Sequence, residues 1–151
     1  MSEDEVIFIE ENGVGIITLN RPDRLNALTY PMVQKINEHL NLWETKESIN
    51  SVIIEGAGDR SFCAGGDVVK LRKEVLELGG PPTDLSRLFF YDEYTLNYKI
   101  SNYKKPFIAL INGFTMGGGV GISMHGSHVV ASDKTMFAMP ETAIGLFPDV
   151  G

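Results

Sequence analysis

The sequence has little of what would place a protein in a membrane, in an oxidising compartment or on a nucleic acid. Cys63 is the only cysteine among the 151 residues, so an internal disulfide is impossible and a reducing compartment is favoured. No apolar run approaches the roughly 18 residues of a membrane span. A net charge of -7 argues against nucleic acid or an anionic membrane as partner. It does not exclude a small anionic ligand held by local basic residues.

The start of the chain carries no recognisable targeting signal. Residues 1–5 are acidic and lack an apolar stretch, which is typical of neither a signal peptide nor an Arg-rich transit peptide. As the sequence stands, we expect a cytoplasmic location. A location in the mitochondrial matrix would require a eukaryotic protein with a transit peptide that this sequence does not contain.

Alternating strand and helix patterns predict an α/β protein. Two β-rich runs flank Glu11-Asn12-Gly13 and predict a hairpin over residues 6–20. A helix is predicted to begin at Tyr30, with Thr29 as its cap. Further strands are predicted at 51–56, 107–111, 128–131 and 136–138, with helices ending near 78, spanning about 84–102 and ending near 126. The segments 62–67, 112–116 and 139–151 are predicted to be loops.

Two glycine-rich segments each follow a buried strand and precede a helix. They are Ala64-Gly65-Gly66 and Gly117-Gly118-Gly119. Such junctions expose backbone N–H groups at the positive end of a helix dipole, and two converging N–H groups would form an oxyanion hole. The alternative is a pair of tight turns. A phosphate loop is less well supported, because neither segment spells GxxxxGK[ST] or GxGxxG.

Three carboxylates lie in apolar surroundings. Glu141 and Asp149 each neighbour a proline within apolar stretches, and a third lies near the apolar stripe of the helix over 84–102. Helical spacing alone cannot decide whether that third carboxylate is Glu93 or Asp92. Carboxylates in apolar surroundings are costly unless they are paired or used; the alternative for each is an ordinary surface charge. Cys63 has no obvious base beside it, and no metal site is predicted.

Several motifs together resemble the crotonase (enoyl-CoA hydratase/isomerase) superfamily. They are Asn20-Arg21-Pro22, Leu25-Asn26-Ala27-Leu28, Ser61-Phe62-Cys63-Ala64-Gly65-Gly66-Asp67, Lys105-Pro106, Ile111-Asn112-Gly113, Gly117-Gly118-Gly119 and Pro140-Glu141. The resemblance implies a spiral of ββα turns that binds an acyl-CoA thioester, with backbone donors at Ala64 and Gly118. It also implies a set of residues along the CoA, namely Leu25, Ala27, Ala64, Gly65, Gly66 and Asp67.

Two features indicate the subfamily: a glutamate typical of hydratases is missing, and an additional aspartate is present. Hydratases of the superfamily place a glutamate two residues after the triple glycine, where this chain has Gly121. The run 138–151, which includes Asp149, looks like the 3-hydroxyisobutyryl-CoA hydrolases of valine breakdown. That resemblance implies an acyl pocket and a hydrolytic reaction carried by Glu141 and Asp149, with Glu141 as nucleophile or general base. The implied acyl pocket is lined by Glu93, Gly118, Glu141 and Asp149.

Two other functions compete with hydrolysis of a short branched hydroxyacyl-CoA. An enoyl-CoA isomerase could work with one carboxylate, whereas Gly121 counts against a hydratase. A non-catalytic acyl-CoA-binding module would need neither Glu141 nor Asp149. No cofactor is expected beyond the coenzyme A of the substrate, and a homo-oligomer is conceivable for this superfamily.

The resemblance also predicts that residues 1–151 are a single crotonase-like core domain that corresponds to the N-terminal part of the fold. We expect this piece to be truncated at its C-terminus and inactive alone. Asp149 lies two residues from the last one, where chain ends usually fray. Apolar faces meant for further elements are expected to be exposed.

Overall fold

The computed structural model describes residues 4–80 and 82–151. It begins with the predicted hairpin, in which β1 (Val6–Glu11) pairs antiparallel with β2 (Val14–Leu19). Asn12 and Gly13 form the turn, and both have positive φ, as two-residue hairpin turns commonly require. The hairpin prediction is therefore confirmed.

The remaining elements alternate strands with helices. The strands are β3 (Ser51–Gly56), β4 (Ser61–Cys63), β5 (Phe107–Ile111), β6 (Phe114–Met116), β7 (His128–Ala131) and β8 (Met136–Ala138). The helices are α1 (Tyr30–Thr45), α2 (Val68–Glu77), α3 (Asp84–Ser101) and α4 (Gly118–Met124), with short 3-10 turns at Pro22–Arg24 and Glu141–Ile144.

The strands form two sheets that the chain visits in turn. The larger sheet has the order β1-β2-β3-β5-β7 and is parallel from β2 onward; the smaller sheet has the order β4-β6-β8 and is parallel throughout. The hairpin contributes both of its strands to the larger sheet. Each later turn, β3-β4, β5-β6 and β7-β8, adds one strand to each sheet, and helices follow the hairpin and the first two of these turns. The predicted spiral of ββα turns is thus confirmed.

Three predicted loops contain regular structure. The segment 62–67 begins with the last residues of β4, 112–116 contains β6, and 139–151 contains the 3-10 turn Glu141–Ile144. The three-residue strands β4 and β6 were not predicted, unlike the equally short β8, because so few residues show little of the period-two pattern. They form here because the smaller sheet pairs them with distant segments.

The core lies between the larger sheet and helices α1 and α3. Thr29 caps α1 as predicted, its side chain accepting from the Met32 N–H. Trp43 at the other end packs on Gly15, where an added Cβ would lie 2.5 Å from the indole ring. Helix α3 buries Glu93 and leaves Asp92 only half-buried, so the structure decides the ambiguity that helical spacing left open.

Candidate active site

The two glycine-rich segments lie side by side because the strands before them are paired. β4 runs parallel to β6, so the residues that follow the two strands meet at the same sheet edge. A Cβ built on Gly118 would lie 3.4 Å from the Gly66 nitrogen, and one on Gly65 would lie 3.5 Å from the Gly118 nitrogen. The two backbones therefore lie within van der Waals reach of each other, and Gly65 has a positive φ that favours glycine.

The backbone donors of this junction are not the predicted pair. The Ala64 N–H donates to the Leu25 carbonyl at 3.0 Å, so the structure does not support Ala64 as an oxyanion donor. A donor that already has an acceptor in the protein is not free for a ligand. Gly118 is the first residue of α4, where an N–H has no intrahelical acceptor. Gly66 likewise finds no acceptor within residues 4–80 and 82–151, so we assign the second donor to Gly66.

A buried asparagine fixes the loop whose Leu25 carbonyl accepts the hydrogen bond from the Ala64 N–H. Asn26 adopts a left-handed backbone conformation and is fully buried. Its amide donates to the carbonyls of Ser61 and Ala57 at 2.8 and 3.0 Å, and its side-chain oxygen accepts from the Arg21 N–H at 2.9 Å. The loop therefore holds the Leu25 carbonyl against the strand end. This explains the Leu25-Asn26-Ala27-Leu28 motif structurally.

The free donors open onto a pocket of about 270 Å³ that contains all three candidate carboxylates. We call it the carboxylate pocket; its lining includes Gly66, Phe89, Phe90, Glu93, Gly118, Glu141, Leu146 and Asp149. Glu93 is 2% exposed and Glu141 is 7% exposed. A Cβ on Gly117 would lie 2.8 Å from Glu141 Oε1, and one on Gly118 would collide with the Glu93 carboxylate. The triple glycine thus leaves room for both acids.

The carboxylates of the pocket differ in their electrostatic environment. Burial raises the pKa of the Glu93 carboxyl to about 8, and the nearby charges of Asp149 and Glu141 add to the shift. Glu93 is therefore protonated at neutral pH and can donate a hydrogen bond. Glu141 Oε2 is buried and has no partner among the described residues. A buried acceptor without a partner is costly and is typical of a site that awaits a ligand or water.

Asp149 is held in place, contrary to the expectation that it would be loose. Tyr94 Oη donates to Asp149 Oδ2 at 2.5 Å. The next residue, Val150, is 6% exposed, and its carbonyl lies 2.6 Å from His125 Nε2. Burial, together with the hydrogen bond to Asp149, raises the pKa of the Tyr94 hydroxyl. His125, the C-cap residue of α4, thus anchors this loop.

The position that carries a glutamate in hydratases is closed to a side chain. A Cβ on Gly121 would lie 2.7 to 2.8 Å from the amide atoms of Asn97 and 2.8 Å from Val150 Cβ. Neither amide atom of Asn97 has a hydrogen-bond partner among the described residues. A glutamate at position 121 would therefore have to displace both neighbours.

A second cleft lies across Gly66 from the carboxylate pocket and carries positive charge. We call this cleft of about 390 Å³ the basic cleft; its lining is Arg21, Arg24, Ala27, Gly66, Asp67, Val68, Val69, Lys70 and Lys73. Arg21 contacts Asp67 at 3.0 Å and Glu5 at 3.1 Å. Lys70 and Lys73 were not predicted as ligand contacts, whereas the resemblance implied that the stretch from Arg24 to Leu28 borders the CoA. The sequence feature that could have identified these two lysines is their spacing, since they lie about one turn apart in the first half of a helix.

The residues predicted to lie along the CoA divide into three groups. Ala27, Gly66 and Asp67 line the basic cleft, and Ala64 and Gly65 line the carboxylate pocket. Leu25 contributes its carbonyl to the loop instead. The Asp67 carboxylate accepts from the Lys70 N–H at the start of α2 and pairs with Arg21, so it is a structural group of the cleft wall.

Other candidate sites carry no comparable geometry. Cys63 is fully buried, and burial raises its pKa to about 12, so its thiol is not a nucleophile near neutral pH. Within residues 4–80 and 82–151, no group of three or more His, Cys, Asp or Glu is placed to hold a metal ion. Among those residues, no helix has the length and apolarity to cross a bilayer. A larger cavity of about 560 Å³ borders Asp149 on the side away from the glycines.

Comparison with known sequences identifies relatives along nearly the whole chain. Residues 14–151 match the family described as enoyl-CoA hydratase/isomerase. The chain is 53% identical over 147 residues to the mitochondrial 3-hydroxyisobutyryl-CoA hydrolase of Danio rerio and 48% identical over 148 residues to that of Homo sapiens. These matches cover 97% and 98% of this chain but 37% of each relative. The chain therefore spans less than two fifths of their length.

Solved structures with the same fold are named for other enzymatic activities. A carnitinyl-CoA dehydratase from Mycobacterium thermoresistibile superposes with a TM-score of 0.93 at 44% identity, over 98% of this chain and 42% of that one. An enoyl-CoA hydratase from Rhodobacter sphaeroides 2.4.1 gives a TM-score of 0.89 at 39% identity, over 97% and 43%. Since one fold carries several reactions, the residues of the site must decide between them.

Proposed function

Because the chain belongs to the enoyl-CoA hydratase/isomerase family, we propose that it forms the acyl-CoA site of a 3-hydroxyisobutyryl-CoA hydrolase. The substrate is a short branched hydroxyacyl-CoA, and the products are the free hydroxy acid and CoA. The identity of about one half to 3-hydroxyisobutyryl-CoA hydrolases supports this assignment. Because these relatives are mitochondrial, we favour the mitochondrial matrix of the two locations considered above.

The proposed substrate would span both cleft and pocket. Its CoA phosphates suit the basic cleft, where Lys70, Lys73 and Arg24 supply positive charge in an otherwise acidic protein. Its thioester would pass the glycine junction, and the acyl group would enter the carboxylate pocket. Phe89 and Phe90 offer apolar surface to the branched carbon chain. A neutral acyl group avoids the repulsion that an anion would meet there.

The reaction follows from the groups that face the thioester carbonyl. The N–H groups of Gly66 and Gly118 donate to its oxygen and stabilise the negative charge that develops there. Glu141 either attacks the carbonyl carbon or takes a proton from the attacking water. The C–S bond breaks as the tetrahedral oxyanion collapses, and the CoA thiolate leaves. Where Glu141 itself has attacked, water then hydrolyses the resulting acyl-glutamyl anhydride, which releases the hydroxy acid and restores the Glu141 carboxylate. Asp149 orients the substrate hydroxyl or shuttles a proton to the departing thiolate.

The closed space at Gly121 is the observation that carries the choice of hydrolysis over hydration. Hydration in this superfamily uses a carboxylate at that position together with the one that matches Glu141. Here Asn97 and Val150 occupy the space instead, whereas Asp149 joins Glu141 in the pocket. An isomerase could use Glu141 alone, and a binding module would need no acid. The presence of Asp149 beside Glu141 favours the hydrolase over both.

The test is a comparison of two substrates with the protein as it occurs naturally. We expect release of free CoA thiol from 3-hydroxyisobutyryl-CoA, detected with a thiol reagent. A short enoyl-CoA should keep its conjugated absorbance, because the second carboxylate of a hydratase is absent. Loss of that absorbance without thiol release would contradict the proposal. A shift of the double bond in a 3-enoyl-CoA would identify an isomerase.

A further inference from the structure

The Asp149 carboxylate has one hydrogen-bond partner among the residues that the structure describes. That partner is Tyr94, whose hydroxyl donates to Oδ2 at 2.5 Å. Hydrogen bonds from a hydroxyl to a carboxylate are short and strong. No ion pair to Asp149 is formed within residues 4–80 and 82–151 either. The rotation of this side chain therefore depends on a single tyrosine.

The backbone around Asp149 is fixed by different contacts. His125 holds the Val150 carbonyl, and the Val150 side chain is buried where it packs against Gly121. These contacts place the Cα of Asp149 but leave its side-chain torsions free. The tyrosine ring is itself braced, because it lies 5.9 Å from the Phe90 ring, centroid to centroid. Phe90 in turn lines the carboxylate pocket.

We propose that Tyr94 is a positioning residue that aims the Asp149 carboxylate into the pocket for thioester hydrolysis. The inference rests on the proposed function, since it assumes that Asp149 acts on the substrate. By holding Oδ2, Tyr94 leaves Oδ1 for the substrate hydroxyl or a proton. Catalytic groups must be held within about 0.5 Å of their working geometry. A half-buried loop carboxylate without this hydrogen bond would sample several rotamers.

Helix geometry explains why this residue falls in place. Tyr94 directly follows Glu93 on α3, so the two side chains leave the helix about 100° apart. Glu93 points inward to the glycine junction, whereas Tyr94 is 40% exposed and reaches the loop that crosses the pocket mouth. One helix thus contributes a buried acid to the pocket and a hydroxyl to its rim.

The decisive experiment is a double-mutant cycle in the protein as it occurs naturally. Tyr94→Phe removes only the hydroxyl, and we expect kcat for 3-hydroxyisobutyryl-CoA to fall about 10-fold or more, with KM nearly unchanged. Asp149→Asn should lower kcat further. In the Asp149→Asn background, Tyr94→Phe should have little additional effect, because its partner is already impaired. Tyr91→Phe, an exposed tyrosine on the same helix, is the matched control and should behave as wild type.

Each alternative outcome has a distinct meaning. Normal kcat in Tyr94→Phe, or an equal loss with and without Asp149→Asn, would overturn the positioning role while leaving the hydrolase assignment intact. Normal kcat in Asp149→Asn would overturn both the positioning role and the part of Asp149 in the proposed function. Thermal unfolding of each variant separates these results from loss of the fold: a drop in kcat accompanied by a matching drop in Tm would also count against the positioning role.

Discussion

The basic cleft and the carboxylate pocket lie on opposite sides of Gly66 and carry opposite charge. The lysines of the cleft remain in solvent. In the pocket, two of the three carboxylates are almost completely buried. Screening by water and salt weakens the charges of the cleft, whereas burial strengthens those of the pocket.

This difference separates binding from chemistry. Exposed lysines can attract phosphates and tolerate change, since each exposed charge contributes modestly. Burying carboxylates lowers the stability of the folded protein. A role in the reaction of the bound acyl group would explain why they are nevertheless buried here. Perturbing the pocket should therefore change kcat, and perturbing the cleft should change KM. The four predictions below test this division.

The largest effect is expected for Glu141→Gln. The amide is nearly isosteric but can neither attack the carbonyl nor accept a proton, so kcat should fall on the order of 1,000-fold or more. Binding of the CoA ester, measured by calorimetry, should remain within a few-fold of wild type. Glu47→Gln changes an exposed glutamate in the turn that follows α1 and should leave turnover unchanged. Near-normal kcat in Glu141→Gln would remove this residue from the mechanism.

A smaller but still large effect is expected for Gly118→Ala. The added methyl group would collide with Glu93 and approach the Gly66 nitrogen, so both donors should shift. We expect a loss of about 100- to 1,000-fold in kcat, the range for loss of an oxyanion donor. Gly66→Ala should cost less, because its methyl group meets only the Phe89 ring edge at 3.1 Å. The reverse order would argue against this assignment of the junction.

The basic cleft should respond in KM. Replacing Lys70 and Lys73 together by alanine removes two charges that face the proposed phosphates, and we expect KM to rise about 10-fold with kcat unchanged. The difference from wild type should shrink as salt is added. Lys134→Ala, on the exposed turn before β8, is the control. A fall in kcat without a change in KM would break the division between cleft and pocket.

The smallest effect concerns stability and pH. Because the pKa of Glu93 is raised to about 8 in the folded protein, the folded state holds this proton more tightly than the unfolded chain does. Its stabilising contribution is present below the ordinary pKa of a glutamate and is lost as pH rises through about 8. Wild-type Tm should thus fall between pH 6 and pH 9 by about 5 °C more than that of Glu93→Gln. Parallel Tm curves would show that Glu93 is ionised throughout.

Much of the fold was predictable because its signals are local. The turn at Asn12-Gly13, the cap at Thr29 and the apolar spacing of α1 each lie within a few residues of the structure they specify. The short strands β4 and β6 were missed, although the equally short β8 was predicted, because three residues carry too little periodic signal for a dependable prediction. They exist through pairing with segments about 50 residues away.

The residues of the site could be predicted from the sequence, but the hydrogen bonds that each of them makes could not. Glu93, Glu141 and Asp149 were identified as candidates, and the structure brings them into one pocket. The donor at Ala64 was misassigned by two residues, because the sequence does not show that the Leu25 carbonyl takes its N–H. Tyr94 had no signal, since its partner lies 55 positions away.

The sequence by itself determined the order of strands and helices and the two glycine junctions, because short-range backbone preferences and apolar spacing specify them. It also singled out Glu141 and Asp149 by their apolar surroundings, but it left Glu93 and Asp92 undecided. Only the tertiary structure decided which N–H groups remain free, which helix acid is buried and protonated, and which tyrosine holds Asp149. The physical reason is that hydrogen-bond allocation and desolvation depend on atoms from distant segments. Their positions are set when the two sheets and α3 pack together.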